Sequence, residues 1–382
     1  MDRILNFAKT YKEQNLFGRY ITPNQIDDWL FKINRTYKVD KIGNSVLGKP
    51  IYLINLGSGA KKILAWSQMH GNESTTTKGL VDFINFLSHN SLEAKQILSN
   101  YTLYFIPMLN PDGALLYTRE NANHIDLNRD AYLQTQPESK ILNSCVEKIK
   151  PDLCFNLHDQ RSIFGTLEHK LPATMSFLAP AYNAERAFNE TRKTSVAYIN
   201  TIFNNLTRFL PNQIARFSDE FNINCIGDYL TTKNIPTILF EAGHFQDDYD
   251  RDVVREFVFL SLFYATINKY DNVIVYNEIG NYLKIPQNKP IFLDFFYKNV
   301  KIYDNGLEKI INFAAHYKEE IIKNKLEKIA YIVNNNDAIL AHKIYEGNQQ
   351  NFISSLNEIP IIGERANFKI GNNLFINGEL IK

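Results

Sequence analysis

Residues 63–88 read ILAWSQMHGNESTTTKGLVDFINFLS. ILAWS (63–67) is a short, continuous apolar run of β type, and 75–88 carries apolar residues at helical spacing. Between them lies a polar turn with His70, Asn72 and Glu73. The same alternation continues on both sides. Further strand-like runs are IYLINL (51–56), TLYFIP (102–107), DLCFNL (152–157) and TILFE (237–241), with helical stretches at 138–149, 183–208 and 249–267. Nearly continuous apolar strands separated by helices indicate a sheet covered on both faces, so the expected fold is α/β, a three-layer sandwich with a mixed, largely parallel central sheet.

Chemistry in such folds gathers at the carboxyl ends of central strands. Here His70 follows ILAWS, Asn110 follows TLYFIP, His158 follows DLCFNL and Glu241 closes TILFE. Four strand ends thus carry a polar residue able to do chemistry. His70 and Glu73, one helical turn apart, can face a common point, and imidazole and carboxylate are proper zinc ligands. A catalytic zinc needs a third protein ligand and an open position; His158 is the expected third, with His244 the next to consider. Ser74 and Thr75–Thr77 read as helix-capping residues.

The chain has 382 residues, with 45% hydrophobic and 22% charged, enough for two or three ordinary domains at ~150 residues each. Lys+Arg 42 against Asp+Glu 41 leaves a net charge of +1, so no global field favours nucleic acid or an anionic membrane. Three cysteines, Cys145, Cys154 and Cys225, form neither a disulfide framework nor a CxxC knuckle and read as free thiols. The opening residues lack a signal-peptide pattern, and FVFLSLFYATI (257–267) is too short to span a bilayer. A cytoplasmic setting is the expectation. Oligomeric state is not legible.

Past residue 275 the pattern changes. IFLDFFYKNVKIY (291–303) is β-like, 307–324 reads as helical, and the chain ends in short strands with an Asn377-Gly378 step that signals a type I′ hairpin. The expected organisation is a catalytic domain, 1–274, and a small accessory α+β domain, 275–382, of unassigned role.

The block NPDGALLYTRENANHIDLNRD (110–130) carries a resemblance. With MHGNE before it and NLHDQ and FEAGH after it, the chain resembles the zinc carboxypeptidase family, the carboxypeptidase A/B-like metallopeptidases, over roughly residues 20–270. IGNSVLGKPIYLINLG (42–57) is similar to that family's first hairpin. The resemblance implies one zinc held by His70, Glu73 and His158, with Glu241 as general base and Arg119 polarising the scissile carbonyl. It also implies that Asn128 and Arg129 hold the substrate's terminal carboxylate. The implied activity is hydrolysis of a C-terminal peptide bond by a zinc-activated water, on a peptide or small amide substrate. An alternative is an N-acyl amino acid deacylase resembling the aspartoacylase and succinylglutamate desuccinylase group; NPDG followed by TREN is closer to the peptidase pattern.

Two departures stand out. The family's mobile tyrosine has no counterpart in RFSDEFNINCIGDYL (216–230), where the one tyrosine, Tyr229, lies close to the Glu. Asp130 follows Arg129 where digestive relatives carry Asn, and Asp159 and Arg161 flank the third ligand, either lining the cleft or pairing with each other. Aligning IGDY (226–229) with the family's side-chain pocket puts Asp228 at or beside its floor, which would favour a terminal residue with an amino-bearing side chain. Equally, Asp228 caps DYLTTKN or pairs with a base.

Overall fold

The computed structural model describes residues 3–34, 36–334, 340–355 and 357–381. They form two compact units: 1–160 with 173–288, and 161–172 with 289–382. Residues 275–288 thus go with the first unit, and a short excursion, 161–172, with the second.

The first unit is built on eight strands: β1 (Lys38–Asn44), β2 (Pro50–Gly57), β3 (Lys61–Trp66), β4 (Tyr101–Ile106), β5 (Leu153–Asp159), β8 (Met175–Leu178), β9 (Ile214–Arg216) and β10 (Thr237–Ala242); the hairpin β6 (Phe164–Thr166) and β7 (Leu171–Pro172) belongs to the second unit. Their order is β1-β2-β4-β3-β5-β10-β8-β9. Strands β4, β3, β5 and β10 run parallel at the centre, and β1, β2 and β8 pair antiparallel with neighbours on the flanks. The mixed, largely parallel sheet expected from the alternating apolar runs is therefore present.

Alternation along β3 shows why both faces are covered. Ile63 and Ala65 join one apolar cluster, while Leu64 and Trp66 join the other. The first cluster packs helices α1 (Arg3–Thr10), α2 (Pro23–Ile33), α3 (Thr75–Leu87), α4 (Leu92–Asn100), α7 (Glu190–Leu206) and α9 (Val254–Thr266). The second packs α6 (Pro137–Ile149) and α8 (Ile226–Thr232); the one-and-a-half-turn α5 (Pro111–Leu116) lies at the site. FVFLSLFYAT lies in α9, buried at almost every position because it sits inside the first layer. Arg255 of α9 grips Asp82 of α3 through both carboxylate oxygens (2.6 and 2.8 Å) and donates to the Leu16 carbonyl. Among the described residues no helix is long and apolar enough to cross a membrane.

In the second unit, β12 (Phe292–Asp304), β13 (Leu307–Ile322), β14 (Lys325–Val333) and β15 (Leu340–Glu346) form a sheet in the order β14-β13-β12-β15. A short strand, β11 (Asn288–Pro290), joins β6 and β7, and β16 to β19 make a last small sheet between Phe352 and Leu380. Phe295, Tyr297, Phe313, Phe368 and Phe375 fill its core. The helix expected over 307–324 is a strand instead; of the expected α+β domain, 275–382, a short helix (Ile279–Lys284) goes with the first unit, and from residue 289 on the regular elements among the described residues are strands. At the end, Asn377 and Gly378 both take positive φ (52° and 82°), the geometry a type I′ turn requires.

Candidate active site

The loop after β3 is held against the NPDG turn. A Cβ on Gly71 would lie 1.9 Å from the Gly113 carbonyl carbon, so the two backbones touch and only glycine fits. Asn110 fastens the junction: its Oδ1 accepts from the Gly113 N–H (2.9 Å), and its Nδ2 donates to the Met69 and Glu120 carbonyls (3.2 Å each). Asn110 is thus scaffold, although it stands at a strand end. Helix α3 starts on a carboxylate from another strand, because the N–H groups of Thr75 and Thr76 donate to Asp159 (2.8 and 3.1 Å). Ser74 occupies the N-cap position without a capping bond, and its hydroxyl donates to the Arg19 carbonyl. Capping by Ser74 is thereby corrected, and Asp159 is engaged with the start of α3 while its charge still acts on Glu241.

These constraints bring His70, Glu73 and His158 together, their ligand atoms all within 4.8 Å of one another. His70 Nδ1 lies 2.8 Å from Glu73 Oε1, His158 Nδ1 lies 2.8 Å from Glu73 Oε2, and the two Nδ1 atoms are 3.0 Å apart. Donors around a tetrahedral zinc with 2.0–2.1 Å bonds sit about 3.3 Å from each other, so the three atoms are already gathered to within about half an ångström of that spacing. Both histidines are 2% exposed, which leaves no solvent to separate their lone pairs. His70 Nε2 faces Asp126 Oδ1 at 3.0 Å, so it carries the proton and turns the Nδ1 lone pair inward. Burial pushes the Glu73 carboxyl up, but His70 and His158 hold it well below the ordinary range. The donor set fits zinc. His244 lies outside it, buried beside the Tyr249 ring.

Glu241 reaches the same place through sheet register. On parallel strands β10 and β5, Glu241 is the direct partner of His158. Its carboxyl is raised well above the ordinary range, first by burial and then by the charges of Glu73 and Asp159, with Arg119 and Arg251 opposing. Arg251 donates to the Ala242 and Gln160 carbonyls (2.6 and 2.8 Å), bracketing the ends of both strands. Arg119 donates through Nε to Asp126 Oδ2 (3.0 Å) and through a terminal nitrogen to Glu73 Oε1 (3.3 Å).

Asp126 therefore backs a ligand and an arginine together, and burial's upward push on it is outweighed by His70 and Arg119. Sequence reading passed over it; a carboxylate opening DLNR was the available signal. Asn128 follows, its N–H on Asp126 Oδ1 (2.8 Å) and its Oδ1 accepting from the Ile226 N–H (3.1 Å). Arg129 is exposed beside it and donates to the Asn128 carbonyl (2.9 Å). Asp130 accepts from the N–H groups of Thr135 and Gln136 (2.9 Å each), an internal turn anchor. Asp228 is buried, its carboxyl pushed to about 6 by burial, and it accepts from the Asn222 N–H (3.0 Å). Tyr229 packs edge-on to Tyr132 and accepts from Gln134.

A family model described as zinc carboxypeptidase matches residues 26–200, the stretch holding all three candidate metal ligands. Over residues 26–200, a little under half of its length, this chain is similar to the zinc carboxypeptidase family. Carboxypeptidase SOL1 of Arabidopsis thaliana is 32% identical over 146 residues, 33% of this chain and 29% of that protein. Gamma-D-glutamyl-L-diamino acid endopeptidase 1 of Lysinibacillus sphaericus is 32% identical over 120 residues, 27% of this chain and 30% of that protein. The matched stretch thus spans about a third of the length of these relatives. In fold, the chain is similar to thrombin activatable fibrinolysis inhibitor (TM-score 0.54, 13% identity, 71% of this chain and 80% of the other). It is likewise similar to the carboxypeptidase A of Helicoverpa armigera (0.52, 13%, 72% and 79%).

Proposed function

We propose that this protein is a zinc-dependent metallopeptidase, a carboxypeptidase that releases a C-terminal residue from peptides, with one zinc per chain. The observation that carries the reading is the buried His70–Glu73–His158 set with Glu241 beside it in register on the neighbouring strand. When bound there, zinc supplies a Lewis acid and lowers the pKa of water from 15.7 to about 7.

The chain's own residues do the rest. Glu241 accepts the proton of the attacking water and delivers it to the leaving amine; a carboxyl raised by burial holds that proton long enough to pass it on. Arg119, anchored on Asp126, donates to the scissile carbonyl oxygen as charge develops there. Asn128 and Arg129 hold the terminal carboxylate, the guanidinium fork matching its two oxygens. Three free cysteines, two of them buried, support a reducing, cytoplasmic setting.

The deacylase alternative would use the same metal set. Arg119 following the NPDG turn, together with the family match, favours the peptidase. Digestion of a peptide library, read by mass spectrometry beside a panel of N-acyl amino acids, separates them. Loss of single C-terminal residues supports the proposal, and cleavage confined to the acyl compounds would replace it.

A further inference from the structure

The turn and helix at 222–232 are joined to the loop bearing Asn128 and Arg129 at several points. The Ile226 N–H donates to Asn128 Oδ1 (3.1 Å), the Ala131 N–H to the Asn224 carbonyl (3.2 Å), and Gln134 to the Tyr229 hydroxyl (3.4 Å). Ile226 is the first residue of α8, where a backbone N–H has no acceptor inside the helix. Only an oxygen can satisfy it. The carbonyl branch of the Asn128 amide is thereby fixed toward α8, and the NH2 branch faces the other way.

This orientation matters because an asparagine amide has nearly the same shape either way round. Presented by its oxygen, it would repel a carboxylate; presented by its nitrogen, it donates. We infer that α8 and the turn before it set the donor face of Asn128 toward the substrate's terminal carboxylate, with the Ile226 N–H as the positioning group and Asp228 as its fastener. The inference rests on the carboxypeptidase reading.

Asp228 earns that role by its bonds. Its buried carboxylate accepts from the backbone of Asn222, and of Ala181 on the loop after β8, holding both to α8. The turn it secures is closed by the Cys225 N–H on the Asn222 carbonyl (2.8 Å) and the Asn224 N–H on Asn222 Oδ1 (3.0 Å). Asp228 then acts on substrate through Asn128, on every terminal residue alike, and not as a pocket charge selecting basic ones.

Ile226→Pro tests this cleanly. Proline is tolerated at the first helical position, and Cys225 already has the extended backbone (φ −74°, ψ 134°) that a residue before proline adopts. Ile226→Ala shortens the same side chain but keeps the N–H. Binding of N-acetyl dipeptides, one a free acid and one a C-terminal amide, is measured by calorimetry in the zinc-loaded Glu241→Gln background, so that turnover does not intervene. Ile226→Pro should weaken the free acid about tenfold more than Ile226→Ala does, with the amide unchanged. Placed on Asn128→Ala, Ile226→Pro should have no further effect. Asp228→Ala should weaken acids ending in Lys and in Leu equally, and Asp228→Asn should recover part of the loss because it keeps one acceptor oxygen.

Equal affinities for Ile226→Pro and Ile226→Ala overturn the inference. So does a loss in Asp228→Asn confined to Lys-ending acids, which would make Asp228 a pocket charge. If the parent binds acid and amide equally, the carboxypeptidase reading itself falls, and this inference with it.

Discussion

Asp126 is the residue whose replacement tests the site most searchingly, because it holds three groups at once. Oδ1 faces His70 Nε2 (3.0 Å) and accepts from the Asn128 N–H (2.8 Å), while Oδ2 accepts from Arg119 Nε (3.0 Å). Asp126→Ala removes the partner that fixes the His70 tautomer and orientation. Loss of such a partner lowers metal affinity 10–100-fold, which is about 1.4–2.7 kcal/mol. Loss of its capping bond to Asn128 costs about 1 kcal/mol more in folding, too little to unfold a domain of this size. Asp126→Asn behaves differently. Turning its carbonyl oxygen to the Oδ1 side preserves two bonds and gives up the one to Arg119; the opposite turn gives up two. The Asn variant should therefore keep tighter zinc than the Ala variant while still losing turnover through an unanchored Arg119. Zinc affinity is measured by competition with a chelating dye at fixed pH, beside kcat on one peptide. An Ala variant within twofold of wild-type zinc affinity refutes the reasoning, and so does an Asn variant weaker than Ala.

Glu241→Gln should retain fold and zinc yet lose on the order of 10²–10⁴ in kcat, and more than a tenth of wild-type turnover would move the base elsewhere. Because burial and Glu73 raise the Glu241 carboxyl, its base form is gained as pH rises. The acid limb of kcat/KM should therefore lie above the ordinary Glu range, and a limb at or below it would contradict this. Arg129→Ala should raise KM for free-acid peptides by about 1.5–3 kcal/mol of lost binding and leave C-terminal amides unaffected; equal losses on both would argue against the clamp. In the second unit, Asp294 is buried, which pushes its carboxyl up, but His316 at 3.0 Å outweighs this and holds it at about 2, against an ordinary 3.8. A depressed folded-state value means stability present above 3.8 and lost as pH falls toward 2, about 2 kcal/mol in all. The stability gap between wild type and Asp294→Asn should thus be open at pH 6 and closed near pH 2, and a gap independent of pH would rule the pair out as its source.

What could be read ahead of the structure followed from local pattern. Apolar runs ending in His70, His158 and Glu241 disclose both a parallel sheet and the end of it where the candidate site lies. Capping by Asp159, and Asp126 behind His70, are contacts between residues far apart in sequence, so no local pattern announces them. The segment 307–322 fails for another reason. LEKIINFAAHYKEEII has the Glu, Lys and Ala content of a helix, yet it lies between β12 and β14, which pair with it on both sides. Propensity is a weak preference there, and ladder pairing with a buried Phe313–Ala315 face overrides it. The excursion 161–172 is equally hidden, since it joins strands more than a hundred residues later.

The fold sets the surroundings of Glu241, the proposed base. Parallel register places it next to His158, a candidate metal ligand, so its carboxyl shares a buried space with Glu73 and with Asp159 at the start of α3. Three carboxylates so arranged favour the protonated acid. The same strand ends are bridged by Arg251, and Arg119 approaches from the NPDG side; both pull Glu241 back toward the anion. A zinc bound by His70, Glu73 and His158 would add to the arginines' side of this balance. The neighbours of the proposed base oppose one another and are themselves held in place, Arg251 and Asp159 on backbone groups and Arg119 on the Asp126 and Glu73 carboxylates.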